Sequence, residues 1–182
     1  MKFERFDIDG PVLVTPVRIG DSRGFFSESF RADKFEAEIG PTRFVQDNQS
    51  LSVVRGTIRG LHYQKAPHAQ GKLIRVLRGA VFDVAVDIRK QSKTFGRHVA
   101  VELSSDNGQQ LWVPPGFLHG FCTLCDNVEV MYKVTDYYSP ACDAAVRWND
   151  PDIGIRWPIA EAEAQLSAKD QTAPWLRDIS PM

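Results

Sequence analysis

Short runs of alternating apolar and polar residues recur along the chain. The clearest sets Phe82, Val84, Val86 and Ile88 against Asp83, Ala85, Asp87 and Arg89. That period of two belongs to a strand with two different faces. Just before it, Lys72–Leu77 reads as a strand, with Gly79 as the turn that joins the two. Val12–Val17, Arg97–Leu103, Gln109–Val113, Leu118–Leu124 and Val128–Thr135 extend the series, and Ser105-Asp106-Asn107-Gly108 is a turn signal. Helical periodicity is scarce. Phe35 and Ile39 stand at i, i+4 before Gly40, which predicts a helix over Asp33–Ile39, and Glu161–Gln165 predicts a second short one.

Many strands at short spacing, punctuated by Gly and Pro, predict an all-β fold: a cupin-type jelly-roll barrel with a few short helices. Such barrels hold a ligand in their mouth, lined by alternate strand residues. With 182 residues and no repeat or linker, residues 1–182 read as a single domain. A count of 22 basic against 23 acidic residues removes any bulk electrostatic attraction to nucleic acid or anionic membrane. The first residues are charged, and no apolar stretch nears the roughly 18 residues of a membrane span, so a cytoplasmic protein is expected. Three cysteines do not suggest a disulfide framework. Cys122-Thr123-Leu124-Cys125 falls in a predicted strand without a second pair, so these read as ordinary thiols.

Reactive side chains concentrate in Arg59-Gly60-Leu61-His62-Tyr63-Gln64, Gln70-Gly71-Lys72-Leu73 and Pro114-Pro115-Gly116-Phe117-Leu118-His119-Gly120-Phe121. Metal-binding cupins pair a His-x-His motif with a later Pro-x-Gly-x-x-His. Only the second is present, as Pro114, Gly116 and His119; His62 is followed by Gln64, and no metal is expected. What remains suits proton transfer. Lys72 sits in an apolar strand, where lysine is rarely left unpaired. Tyr132 shares a strand face with Val128, Val130 and Val134. Read one at a time, His62 is equally a satisfied half-buried histidine and Tyr132 a core aromatic. Together with Lys72 they supply a base, a cation and a phenolic acid, the set needed to remove a proton beside a carbonyl. Among the nearby arginines, Arg23, Arg59 and Arg75 offer forks that match phosphate oxygens, whereas Arg55 reads as surface charge. Arg59 and His62 are three apart, so a regular strand would send them to opposite faces; a bulge at Gly60 would reconcile them.

The chain resembles the dTDP-4-dehydrorhamnose 3,5-epimerase family of cofactor-free sugar-nucleotide epimerases. The resemblance runs through Gly24–Ser29, Phe44–Ser50, Arg59–Gln64, Gly71–Leu73, Phe82–Arg89, Pro115–Phe121, Tyr132-Lys133, Tyr137–Pro140, Trp148–Pro151 and Ser167–Asp170. It implies His62 as the base, held by Asp170, with Tyr132 as the acid on the other face of the sugar and Lys72 as the cation at the C4 oxygen. It implies substrate contacts from Arg23, Arg59 and His119, and nucleotide contacts from Glu28, Gln46, Asp47, Asn48 and Tyr138, the last stacking on thymine. Lys169 falls in a matching motif, and Asp143 stands where relatives often carry Glu. The implied substrate is a dTDP-4-keto-6-deoxyhexose, epimerised at C3 and C5 without a cofactor. Single-carbon epimerases of deoxysugar antibiotic pathways share the same dyad and remain the alternative. The resemblance also implies a homodimer in which Arg23 and Glu28 reach the neighbouring subunit's site.

Overall fold

A computed structural model describes all of residues 1–182. Strands β1 (Lys2–Arg5) and β2 (Val12–Thr15) are followed by a hairpin of β3 (Arg18–Asp21) and β4 (Gly24–Ser27), then by helix α1 (Ala32–Ile39). Next come β5 (Gln46–Ser52), β6 (Ile58–Gln64), β7 (Lys72–Arg78), β8 (Ala80–Asp87), β9 (His98–Ser104) and β10 (Gln110–Val113). The series closes with β11 (Phe117–Thr123), β12 (Val128–Val134), β13 (Asp143–Ala145) and the short helix α2 (Ala168–Gln171).

The strands form two facing sheets, ordered β1-β2-β10-β7-β12-β5 and β13-β6-β11-β8-β9, with the β3–β4 hairpin apart. The expected jelly-roll class holds, but the hydrogen-bonded ladder does not close into one barrel. No helix is long and apolar enough to cross a membrane. The predicted strand Val12–Val17 stops at Thr15 because Pro16 brings no N–H to the ladder. The expected helix at Glu161–Gln165 is a single 3₁₀ turn, Glu161–Glu163.

Between the sheets, Ile74, Val76, Val81, Ala85, Leu111 and Val130 form part of the central core. Further along the same inward faces the residues turn polar: Lys72 on β7, Asp83 on β8, His119 on β11 and Tyr132 on β12. Alternation thus carries one continuous surface from dry core into a functional cavity. The outer faces are covered as well. Phe35 of α1 packs with Val12, Val14, Leu73 and Trp112 on the six-stranded sheet. On the five-stranded sheet, Val84, Val86 and Ile88 pack against the C-terminal residues Ile153, Trp157 and Leu176. That covering segment brings α2 back against β6.

Candidate active site

The expected irregularity lies in β6. His62 pairs with His119 of β11, but Arg59 pairs with Phe121, so three steps on β6 match two on β11. The extra residue is a bulge. Gly60 has φ +142°, and a Cβ there would lie 2.5 Å from the Gly120 Cα, so only glycine fits. The bulge puts Arg59 and His62 on one cavity of about 470 Å³, shared with Lys72, His119, Tyr132 and Asp170. A neighbouring cavity of about 360 Å³ is lined by Gln46, Asn48, Tyr138, Asp143 and Lys169, and His62, Lys72 and Tyr132 border both.

His62 Nε2 lies 2.6 Å from Asp170 Oδ1. Asp170 is buried in α2, where its backbone N–H donates to the capping Ser167 hydroxyl at 3.2 Å. Burial pushes the Asp170 carboxyl up, but His62, Ser167 and the Gly60 backbone together hold it below the ordinary value. With Nε2 donating to this carboxylate, Nδ1 is the free lone pair of the neutral ring.

Opposite, on the other sheet, stand Lys72 and Tyr132. Burial lowers the Lys72 pKa to about 8, with Asp143 and Asp83 pulling it up and Lys169 pushing it further down. The only hydrogen bond of its side chain is from Nζ to the His62 carbonyl at 3.4 Å. Burial raises the Tyr132 phenol, opposed by the charge of Arg59. Arg59 itself donates to Ser52 Oγ and the Leu51 carbonyl, each at 3.1 Å.

In the second cavity Lys169 pairs with Asp143, which also accepts from Tyr138 Oη at 3.3 Å. Gln46 Oε1 accepts from the Tyr138 backbone N–H at 3.1 Å, while Gln46 Nε2 donates to Asn48 Oδ1 at 2.8 Å. The Tyr138 ring is exposed at the mouth.

Three of the expected residues lie elsewhere in the chain. Asp47 faces the outside of β5, opposite Gln46 and Asn48, and pairs with Lys133 at 3.0 Å. Arg23, at the tip of the β3–β4 hairpin, has 87% of its side chain exposed and pairs with Asp21. Glu28 pairs with Lys34 at 3.0 Å. Within one chain none of them lines either cavity.

One group behind the cavity wall was not anticipated. Asp83 is fully buried in β8 and receives His119 Nε2 at 3.0 and 3.1 Å on its two oxygens. Its sequence signal was a carboxylate on the polar side of an alternating strand, a side that the fold buries. No group of three or more His, Cys, Asp or Glu side chains is arranged to hold a metal ion. The cysteines are free, and burial pushes the Cys122 thiol up to about 11, as suits an inert strand residue.

Residues 5–178 match the family described as dTDP-4-dehydrorhamnose 3,5-epimerase. The chain is 52% identical over 166 residues to the enzyme of that name from Salmonella typhimurium, covering 91% of this chain and 90% of the relative. A Legionella pneumophila dTDP-6-deoxy-D-glucose-3,5-epimerase, solved with dTDP-4-keto-L-rhamnose, superposes with a TM-score of 0.93 at 47% identity, covering 98% and 94% of the two chains. A 3'-monoepimerase from Streptomyces bikiniensis, solved with dTDP-quinovose, superposes at 0.88 with 35% identity, covering 94% and 86%. From its matched length, identity and fold, the chain belongs to the dTDP-4-dehydrorhamnose 3,5-epimerase family.

Proposed function

We propose that the chain converts dTDP-4-dehydro-6-deoxy-D-glucose to dTDP-4-dehydro-L-rhamnose by inverting C3 and C5, as a step of dTDP-L-rhamnose synthesis. The observation that carries this reading is the placement of His62 and Tyr132 on facing sheets of one cavity, with Lys72 beside them. A ketone at C4 acidifies the hydrogens on C3 and C5. His62 Nδ1 takes one; the C–H electron pair moves through the ring carbon onto O4, and the Lys72 ammonium stabilises the enolate. Tyr132 returns a proton to the same carbon from the opposite wall, and the inverted ketone reforms. His62 then releases its proton to water and Tyr132 regains one, so no electron is gained or lost overall. Asp170 holds the His62 ring in the reactive tautomer and favours the imidazolium formed in transfer. Arg59 and His119 would contact the substrate, and Gln46, Asn48, Tyr138, Asp143 and Lys169 would hold the nucleotide.

A homodimer completes the reading, and it gives Arg23 and Glu28 their place. The support is the hairpin that carries Arg23: Ile19, Phe25 and Phe26 on it are 66%, 60% and 71% exposed, an apolar surface wanting a cover. Mixing the His62→Ala and Arg23→Ala chains should then restore about a quarter of wild-type activity through hybrid dimers. A cytoplasmic location is part of the same reading, supported by three unpaired thiols.

The function is tested by NMR of dTDP-4-keto-6-deoxy-D-glucose with the protein in deuterated water. Deuterium at both C3 and C5 with an L-lyxo product is expected. Deuterium at one carbon alone would instead make this a single-carbon epimerase like the Streptomyces bikiniensis relative.

A further inference from the structure

Asp83 is a fully buried carboxylate whose only side-chain partner is His119, which lines the cavity. An ionised group so placed is costly unless it has a task or a full set of partners. Two hydrogen bonds from one imidazole nitrogen leave it far from saturated, since a carboxylate accepts about four. His119 in turn makes no hydrogen bond through Nδ1 within the chain. Its ring is therefore oriented from behind, with one nitrogen fixed on Asp83 and the other unclaimed.

We propose that Asp83 is a positioning residue of the reaction: it presents His119 Nδ1 to the sugar and, with Asp143, supplies the negative charge that favours the Lys72 ammonium. The inference rests on the epimerase reading for the parts played by His119 and Lys72. The charges around Lys72 can be taken element by element. β6 contributes Arg59 and His62, β8 contributes Asp83, β11 His119, β12 Tyr132, β13 Asp143, and α2 Lys169 and Asp170. Two of these carboxylates act on Lys72: Asp143, the stronger, is shared with Lys169 and Tyr138, and Asp83 is the fully buried one. Burial has already lowered Lys72 to about 8, and Asp83 is one of the two carboxylates that oppose the fall. The sign follows. Removing the charge of Asp83 lets the Lys72 pKa drop further, so the ammonium is lost at a lower pH.

The test is the pH profile of kcat/KM for Asp83→Asn beside the wild type. Wild-type activity should fall as pH rises through about 8. In the variant that alkaline limb should move down by about half a pH unit or more, with kcat reduced about tenfold. Asp87→Asn, which removes a buried carboxylate bound by Arg89, Ser92 and Thr94 outside the cavity, should lower stability and leave the limb in place. An Asp83→Asn limb that coincides with the wild type would overturn the inference. No exchange by the wild type itself would instead overturn the epimerase reading. If Asp83→Asn does not fold, long-range nitrogen–proton NMR of the unaltered protein decides. A proton on His119 Nε2, with Nδ1 shifting on addition of dTDP-L-rhamnose and not of dTDP, supports the proposal. A proton on Nδ1 and none on Nε2 would contradict it.

Discussion

Two histidine–carboxylate pairs face one cavity, and they are built in different ways. His119–Asp83 spans neighbouring strands of one sheet; both side chains are within 8% of full burial, and the imidazole touches both carboxylate oxygens. His62–Asp170 joins a sheet residue, 31% exposed, to a four-residue helix that arrives 108 positions later on the wrapped C-terminal segment. The first pair forms whenever the sheet forms. The second forms only when the covering segment docks. The open pair, with a reachable ring, suits a base that must take and release protons. The closed pair suits a fixed ligand. Environment therefore divides two chemically equal pairs into two tasks.

The largest expected effect comes from breaking the open pair at its histidine. His62→Ala should slow deuterium exchange into the keto-sugar by roughly 100- to 10,000-fold, the usual worth of a positioned base. Exchange at the wild-type rate would remove His62 from that task. Asp170→Asn should be milder, about 10- to 100-fold in kcat, because the ring survives but its tautomer is no longer enforced. The same variant carries a stability signature. The folded Asp170 carboxyl lies below its ordinary value of 3.8, so its contribution is present above that value and lost as pH falls through the folded one. Thermal melts of variant and wild type should thus differ at neutral pH and converge in acid. The smallest effect belongs to the cap. Ser167→Ala removes an N-cap worth about 0.5–2 kcal/mol, so hydrogen exchange in α2 should quicken while β8 and β11, which hold the closed pair, stay protected. Equal loosening of both regions would erase the distinction drawn between them.

The same contrast explains what the sequence revealed. β7, β8, β11 and β12 were legible because each is a run rich in apolar residues, much of it buried on both faces. β5 and β6 left no such trace. Their inward positions are Gln46, Asn48 and Ser50, then Arg59, His62 and Gln64, polar because they line the cavities. The strands that build the site are the ones whose hydrophobic signal the site has consumed. Short β1, β3, β4 and β13 take their stability from pairing partners, which a local pattern does not record. The Arg59–His62 spacing correctly demanded a bulge at Gly60. Asp170 was reached only through the family resemblance, since nothing local connects a residue in Ser167-Ala168-Lys169-Asp170 to a histidine 108 positions earlier. Asp83 escaped because an alternating strand suggests a wet polar face, whereas the second sheet covers this one.

The central claim is that base and acid act from facing walls, and Tyr132→Phe tests it most directly when exchange and inversion are followed together in deuterated water. The account predicts that exchange at C3 and C5 stays measurable, because His62 still removes and returns protons on its own side, while inversion slows by roughly 100-fold. Inversion of both carbons at the wild-type rate in that variant would contradict it.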